Sequence, residues 1–123
     1  MTSDMIKTSS CVEECGIEHT LNMMGGKWKP FILWQLAKYG TKRYGEIRRY
    51  IPSVTNKMLG QQLKELAADC LVTRKDYRTV PPKVEYSITA EGLSLIPILE
   101  LMCTWGLNHE ALCRTKGKSD IGS

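Results

Sequence analysis

No apolar run in this 123-residue chain approaches the roughly 20 positions that a membrane-spanning helix needs. A membrane partner is therefore not expected. Met1 to Ser10 lacks the apolar segment of a secretory signal, so export is not expected either. Histidine is scarce: His19 and His109 stand far apart. Cys11-x-x-x-Cys15 is not the spacing of a redox C-x-x-C site and makes no convincing zinc half-site. Neither a metal nor another cofactor is expected. The chain also lacks a recognisable set of nucleophile, base and orienting group, which argues against a small thiol enzyme using Cys11 and Cys15. Its five cysteines are an odd number, so one chain cannot pair them all. The expectation is a cytoplasmic protein with reduced thiols.

What is present is the composition of one folded domain. Hydrophobic residues make up 42% and charged residues 24% of the chain, which is ordinary for a globular protein. The expected organisation is a flexible N-terminus over 1–10, one domain over 11–113 and a flexible tail over 114–123. The net charge of +4 is unevenly placed. From Lys42 to Lys83, ten basic side chains stand against four acidic ones, a net +6, while the remainder carries −2. A basic middle between mildly acidic flanks points to an anionic partner, nucleic acid first.

Apolar spacing predicts a first helix from about Gly16 to Met24, with Ile17, Leu21 and Met24 on one face. Gly25-Gly26 should stop it. A second, buried helix is expected from Trp28 to Tyr39, with Trp28, Phe31, Ile32, Leu36 and Tyr39 in helical period. Thr41 to Tyr44 reads as a basic turn. A short helix over Tyr44–Tyr50 turns Ile47 inward and Arg48 and Arg49 outward. Thr55 then caps a helix reaching Asp69. Leu59, Leu63, Leu66 and Cys70 form its inward stripe, which makes Cys70 inert core. The period switches to two over Leu71–Tyr77 and Val84–Ile88, a hairpin across a link containing Pro81-Pro82. Thr89 caps a last helix from about Ala90 to Leu112, kinked at Pro97. This order is a winged helix-turn-helix, α+β but mainly α, with additional N- and C-terminal dimerisation helices. Thr55–Asp69 is its recognition helix and Val72–Ile88 its wing.

The major groove admits one helix, and side chains near that helix's N-terminus read base edges. Thr55, Asn56, Lys57, Gln61, Gln62 and Lys64 are the candidates here. Asn and Gln match adenine, and Lys matches guanine. Arg43, Arg48 and Arg49 precede the recognition helix and suit phosphates. Arg78 and Lys83, at the wing tip, suit the backbone or minor groove. Cys15 is expected just before the first helix, where the helix N-terminus favours a reactive thiolate. The last helix has more apolar surface than one core contact requires. Leu95, Ile98, Leu101, Met102 and Trp105, with Ile17 and Leu21, mark a homodimer interface. A two-fold dimer would present two recognition helices to a pseudo-palindromic, double-stranded operator.

Several motifs carry a family resemblance. They are Cys15-Gly-Ile-Glu-His-Thr-Leu-Asn-Met-Met-Gly-Gly-Lys-Trp-Lys29, Tyr44-Gly-Glu-Ile-Arg-Arg49, Lys57-Met-Leu-Gly-Gln-Gln-Leu-Lys-Glu-Leu66, Val80-Pro-Pro-Lys-Val-Glu-Tyr-Ser-Ile-Thr89 and Leu95-Ile-Pro-Ile-Leu99. In this order, across residues 15–107, they resemble the HxlR-type transcriptional regulators of the broader MarR-like kind. The resemblance implies a winged-helix dimer that binds operators. It also implies sensing of electrophiles or oxidants through Cys15. In some members that thiol bonds to a second cysteine of the partner subunit; here Cys103 is the first candidate and Cys11 the second. Gly16 stands where proline is usual in the family, and Gly60 where a hydroxyl residue is common. The competing effector is a non-covalent small molecule near the dimer interface.

Overall fold

The computed structural model describes the backbone of residues 14–121 and the side chains of 14–115. Cys11 and the 1–10 segment lie outside the described residues. The first helix, α1, is helical over 14–23. Gly25 and Gly26 follow it, and Gly26 adopts φ +81°, a left-handed conformation that glycine enters without steric cost. Helix α2 spans Lys29–Tyr39, with Pro30 in its first turn and Gly40 just past its end. Ile32, Leu33 and Leu36 are buried, whereas Phe31 and Tyr39 lie half or more exposed. The inward face is thus rotated from the predicted one.

The expected basic turn at Thr41–Tyr44 contains a strand, β1, at Lys42–Arg43. It pairs antiparallel with β3, Val84–Ile88, setting Lys42 opposite Tyr86 and Arg43 opposite Glu85. Strand β2, Val72–Asp76, lies on the other side of β3, giving the sheet order β1-β3-β2. Between β1 and β2 run α3, Tyr44–Tyr50, and α4, Asn56–Ala68. Thr55 caps α4 as expected, its Oγ1 accepting from the Met58 N–H at 3.1 Å. Leu59, Leu63 and Leu66 face inward and are almost fully buried, with Ile47 of α3 beside them in the core. Together these elements form a winged helix-turn-helix.

Cys70 departs from its expected place. The helix ends at Ala68, so the i+11 position no longer lies on the stripe. Cys70 takes φ 63° and is exposed. Thr89 closes the adjoining corner. Its Oγ1 donates to the Cys70 carbonyl at 2.6 Å and accepts from the Gly92 N–H at 3.0 Å.

The last helix is broken where a kink was expected. Helix α5 spans Ala90–Ser94, Leu95 forms the turn, and α6 runs Ile96–Ile121 with Pro97 in its first turn, where a missing N–H costs nothing. Helical backbone continues past the expected end near Leu112. By length and apolar composition alone the Ala90–Thr115 stretch would be long enough to cross a membrane, but a helix that packs on a core passes the same test. Its apolar residues divide between two faces. Leu95, Ile96 and Leu99 enter the core, while Ile98, Leu101, Met102 and Trp105 face outward.

Two glycines give opposite expectations for urea unfolding. A Cβ at Gly60 meets nothing within 4 Å, so Gly60→Ala should stabilise the protein by roughly 0.5–1 kcal/mol. A Cβ at Gly92 would lie 2.3 Å from the Leu71 carbonyl oxygen and 2.6 Å from Ile88. Gly92→Ala should therefore destabilise by about 1–3 kcal/mol.

Candidate nucleic-acid interface

Because the leucine stripe of α4 faces the core, the other side of the helix faces solvent. Thr55, Asn56, Lys57, Gln61 and Lys64 are all exposed there. Gln62 is not among them. It is 5% exposed, and its side chain lies against Gly26, where a Cβ would come within 2.5 Å of its Oε1. Helical geometry explains the correction: Gln62 adjoins Leu63 and Leu59 on the inner side of the helix.

Asn56 is held in place by a group that sequence reasoning missed. The Tyr44 hydroxyl, on α3, donates toward the Asn56 carbonyl oxygen at 2.9 Å and lies 3.1 Å from its Oδ1. Arg48 Nη1 donates to the same Oδ1 at 3.3 Å. Two residues of α3 thus fix the first residue of α4. Arg48 is half-buried and tied to this corner, while Arg43 and Arg49 are exposed. The Arg43 backbone N–H donates to Glu46 Oε1 at 2.9 Å. That bond first, and the charges of Lys42, Arg43 and Arg49 after it, hold the Glu46 carboxyl below its ordinary range.

At the wing, Arg78 is exposed, with φ 54°. Lys83 is more engaged than expected. Its ammonium lies 4.4 Å from the centre of the Tyr77 ring and 3.9 Å from Glu85 Oε2. Tyr77 itself donates to Glu85 Oε1 at 2.6 Å, and this hydrogen bond raises its phenol above the usual range. Lys83 therefore helps to hold the wing together, and Arg78 is the freer charge at its tip.

A second missed group lies behind α4. Lys29, at the start of α2, is 4% exposed, and its Nζ lies 2.6 Å from Glu65 Oε1. Glu65 Oε2 accepts from Gln61 Nε2 at 3.1 Å. The Lys29 hydrogen bond first, then that of Gln61, holds the Glu65 carboxyl below its ordinary range. The sequence offered one hint, the i,i+4 spacing of Gln61 and Glu65. Lys29 was hidden because a lysine between Trp28 and Pro30, at a helix start, reads as surface.

The thiols are spread over the fold. Cys15 is exposed, and residue 14 is already helical, so Cys15 lies within α1 and not before it. Cys103 is also exposed and borders an apolar hollow of about 410 Å³ between α2 and α6. Pro30, Phe31, Trp34, Tyr50, Leu99 and Met102 complete its walls. Ile17, Leu21, Ile98, Leu101, Met102 and Trp105 are exposed, as a partner-facing surface requires. Leu95 is 9% exposed and belongs to the core, because it forms the turn that folds α6 back against the domain. Among the described residues, no group of three or more His, Cys, Asp or Glu side chains is placed to hold a metal.

This geometry can be set beside known proteins. The model of the HxlR-like helix-turn-helix family matches residues 23–112. The chain belongs to that family. Relatives of this HxlR-like chain include the regulatory protein MalR of Fusobacterium mortiferum, 60% identical across 76% of this chain and 88% of MalR. The HTH-type transcriptional regulator YtcD of Bacillus subtilis is 50% identical across 76% of this chain and 73% of YtcD. Among solved structures, the redox regulator HypR in its reduced form superposes with a TM-score of 0.75, at 44% identity over 81% of this chain and 98% of HypR. Its oxidised form gives 0.70, at 48% identity over 76% and 96%. The HxlR-like chain is thus a transcriptional regulator with a DNA-binding helix-turn-helix, and redox regulators are among its structural relatives.

Glu65 gives the HxlR-like fold a defined acid response. Its folded-state pKa lies below the ordinary value of 4.5. The stability it contributes is therefore full above that pH and is lost as pH falls through the depressed folded value. In thermal unfolding between about pH 6 and pH 3, the advantage of wild type over Glu65→Gln should shrink as acid is added. A gap that stays constant would exclude the linkage.

Proposed function

We propose that the protein is a homodimeric, sequence-specific DNA-binding regulator, a repressor acting in the cytoplasm, whose operator affinity is set by oxidants or electrophiles acting at Cys15. The observation that carries this reading is the single outward face of α4. It bears Thr55, Asn56, Lys57, Gln61 and Lys64, with Arg43 and Arg49 before it and Arg78 after it, all exposed. The base readers are Asn56, Lys57 and Gln61; the arginines and Lys64 take phosphates. The exposed apolar residues of α1 and α6 are the surface that a second copy covers, which brings two α4 helices to one pseudo-palindromic site. Cys15 stands on α1, part of that surface, so a change at its sulfur alters how the two copies meet. Cys103, and then Cys11, are its candidate partners in a bond between subunits. The resemblance to HypR and to the diamide-treated YodB of B. subtilis, which is 33% identical over 74% of this chain and 89% of YodB with a TM-score of 0.63, supports a thiol trigger. The relatives are regulators, and no catalytic role is assigned to this chain.

A second reading keeps the DNA face and changes the effector. The hollow bordered by Phe31, Trp34, Tyr50, Leu99 and Met102 is apolar and of a size for a small aromatic molecule. In that reading the cysteines are incidental.

Gel shifts with and without diamide separate the two. Wild type should change its operator affinity on oxidation and Cys15→Ser should not; an identical response from both would exclude Cys15 as the sensor. An effector response retained by a cysteine-free variant would select the second reading. Raising salt from 50 to 200 mM should weaken DNA binding by roughly 10³–10⁵, as about 6–10 phosphate contacts require. Light scattering at micromolar concentration should give the mass of a dimer, and a monomeric mass would exclude the proposed assembly.

A further inference from the structure

Gln61 is one of three proposed base readers, and the structure shows what orients it. Glu65 is an acceptor only, so the Gln61 amide must present its nitrogen, not its oxygen, at this contact. Nε2 carries two hydrogens. With the hydrogen trans to Oε1 on Glu65, the cis one remains beside Oε1, and this donor–acceptor pair is what adenine N7 and N6–H₂ require.

An isolated Gln–Glu pair on a helix surface is a weak and mobile contact. This one differs because the carboxylate is itself anchored. Its two oxygens are divided between two donors: Oε1 takes Lys29 Nζ at 2.6 Å and Oε2 takes Gln61 Nε2 at 3.1 Å. The Lys29 side chain is 5% exposed, whereas that of Glu65 is 40% exposed. The rigid end of this relay therefore lies in the protein and the accessible end on the DNA-facing side. A carboxylate near the groove repels phosphate, so it brings a cost in non-specific affinity. A gain in orientation would offset that cost.

We propose that Glu65, anchored by the buried ammonium of Lys29, is a positioning residue that holds the Gln61 amide in the orientation that reads adenine. The inference rests on the reading of α4 as the base-reading helix.

The test is enrichment from a random-sequence duplex DNA library by the full-length protein, giving a base-preference profile for each variant. Glu65 is not changed alone, because that would strand the buried Lys29 charge. Wild type should show an adenine preference in each half-site that Gln61→Ala abolishes. Lys29→Met with Glu65→Leu should reduce the same preference by about five-fold or more, the lower edge of what one bidentate pair contributes. Other positions and the salt dependence of binding should stay unchanged. Adding that pair to Gln61→Ala should have no further effect at this position. Lys29→Met with Glu65→Gln keeps an acceptor but loses its anchor, and should restore only part of the preference. The proposal is overturned if the Met/Leu variant retains the wild-type profile. Equal loss by the Met/Leu and Met/Gln variants overturns it too, since that marks a structural role. If Gln61→Ala leaves the profile unchanged, base reading by Gln61 fails first, and this inference fails with it.

Discussion

Every outward-facing group on α4 takes its direction from three inward ones. Leu59, Leu63 and Leu66 are essentially without solvent contact. Their burial fixes the rotation of the helix about its own axis. A rotation of one residue position, about 100°, would bring Gln62 outward and carry Gln61 off the exposed face. The same core joins α2, α3 and the start of α6, so the outward face of α4 is referenced to the whole domain and not to its immediate neighbours.

Polar contacts then refine what the leucines set. Tyr44 and Arg48 of α3 converge on Asn56, and Lys29 of α2 reaches Glu65. Each ties α4 to a different helix, one near its first turn and one near its last. A buried ammonium is costly unless it is paired. Lys29 is therefore better understood as a device for geometric definition than as a source of stability. The wing follows the same pattern on a smaller scale. Lys83, Tyr77 and Glu85 satisfy one another, leaving Arg78 exposed at the tip.

The architecture was legible in the sequence because its signals are periodic. The stripe of α4, the alternation of Val84, Tyr86 and Ile88, the Thr55 and Thr89 caps and the break near Pro97 all follow from spacing. What escaped was whatever depends on where an element ends or which way it is rotated. Cys70 seemed to continue a stripe, but the helix stops two residues earlier. Leu95 seemed to belong to the outer face of a long helix, but it forms a turn and packs inward. Gln62 carries the same amide as Gln61, and only the rotation of α4 separates the exposed amide from the buried one. Of the site itself, the exposure of the polar side chains Thr55, Asn56, Lys57, Gln61 and Lys64 was legible from spacing. The groups that hold them, Tyr44, Lys29 and Glu65, act across long sequence separations that no local pattern records.

The turn after α1 has a consequence for any attempt to exchange recognition helices between relatives. Gly26 has no room for a side chain because Gln62 fills that space, and Lys29, three residues on, is the counter-ion of Glu65. Residues 62 and 65 of α4 thus have their complements in a four-residue stretch, each 36 positions earlier in the chain. A grafted α4 would arrive without its socket. The transplantable unit is the helix together with the turn that receives it, so the setting of α4 is encoded in two places that must be inherited together.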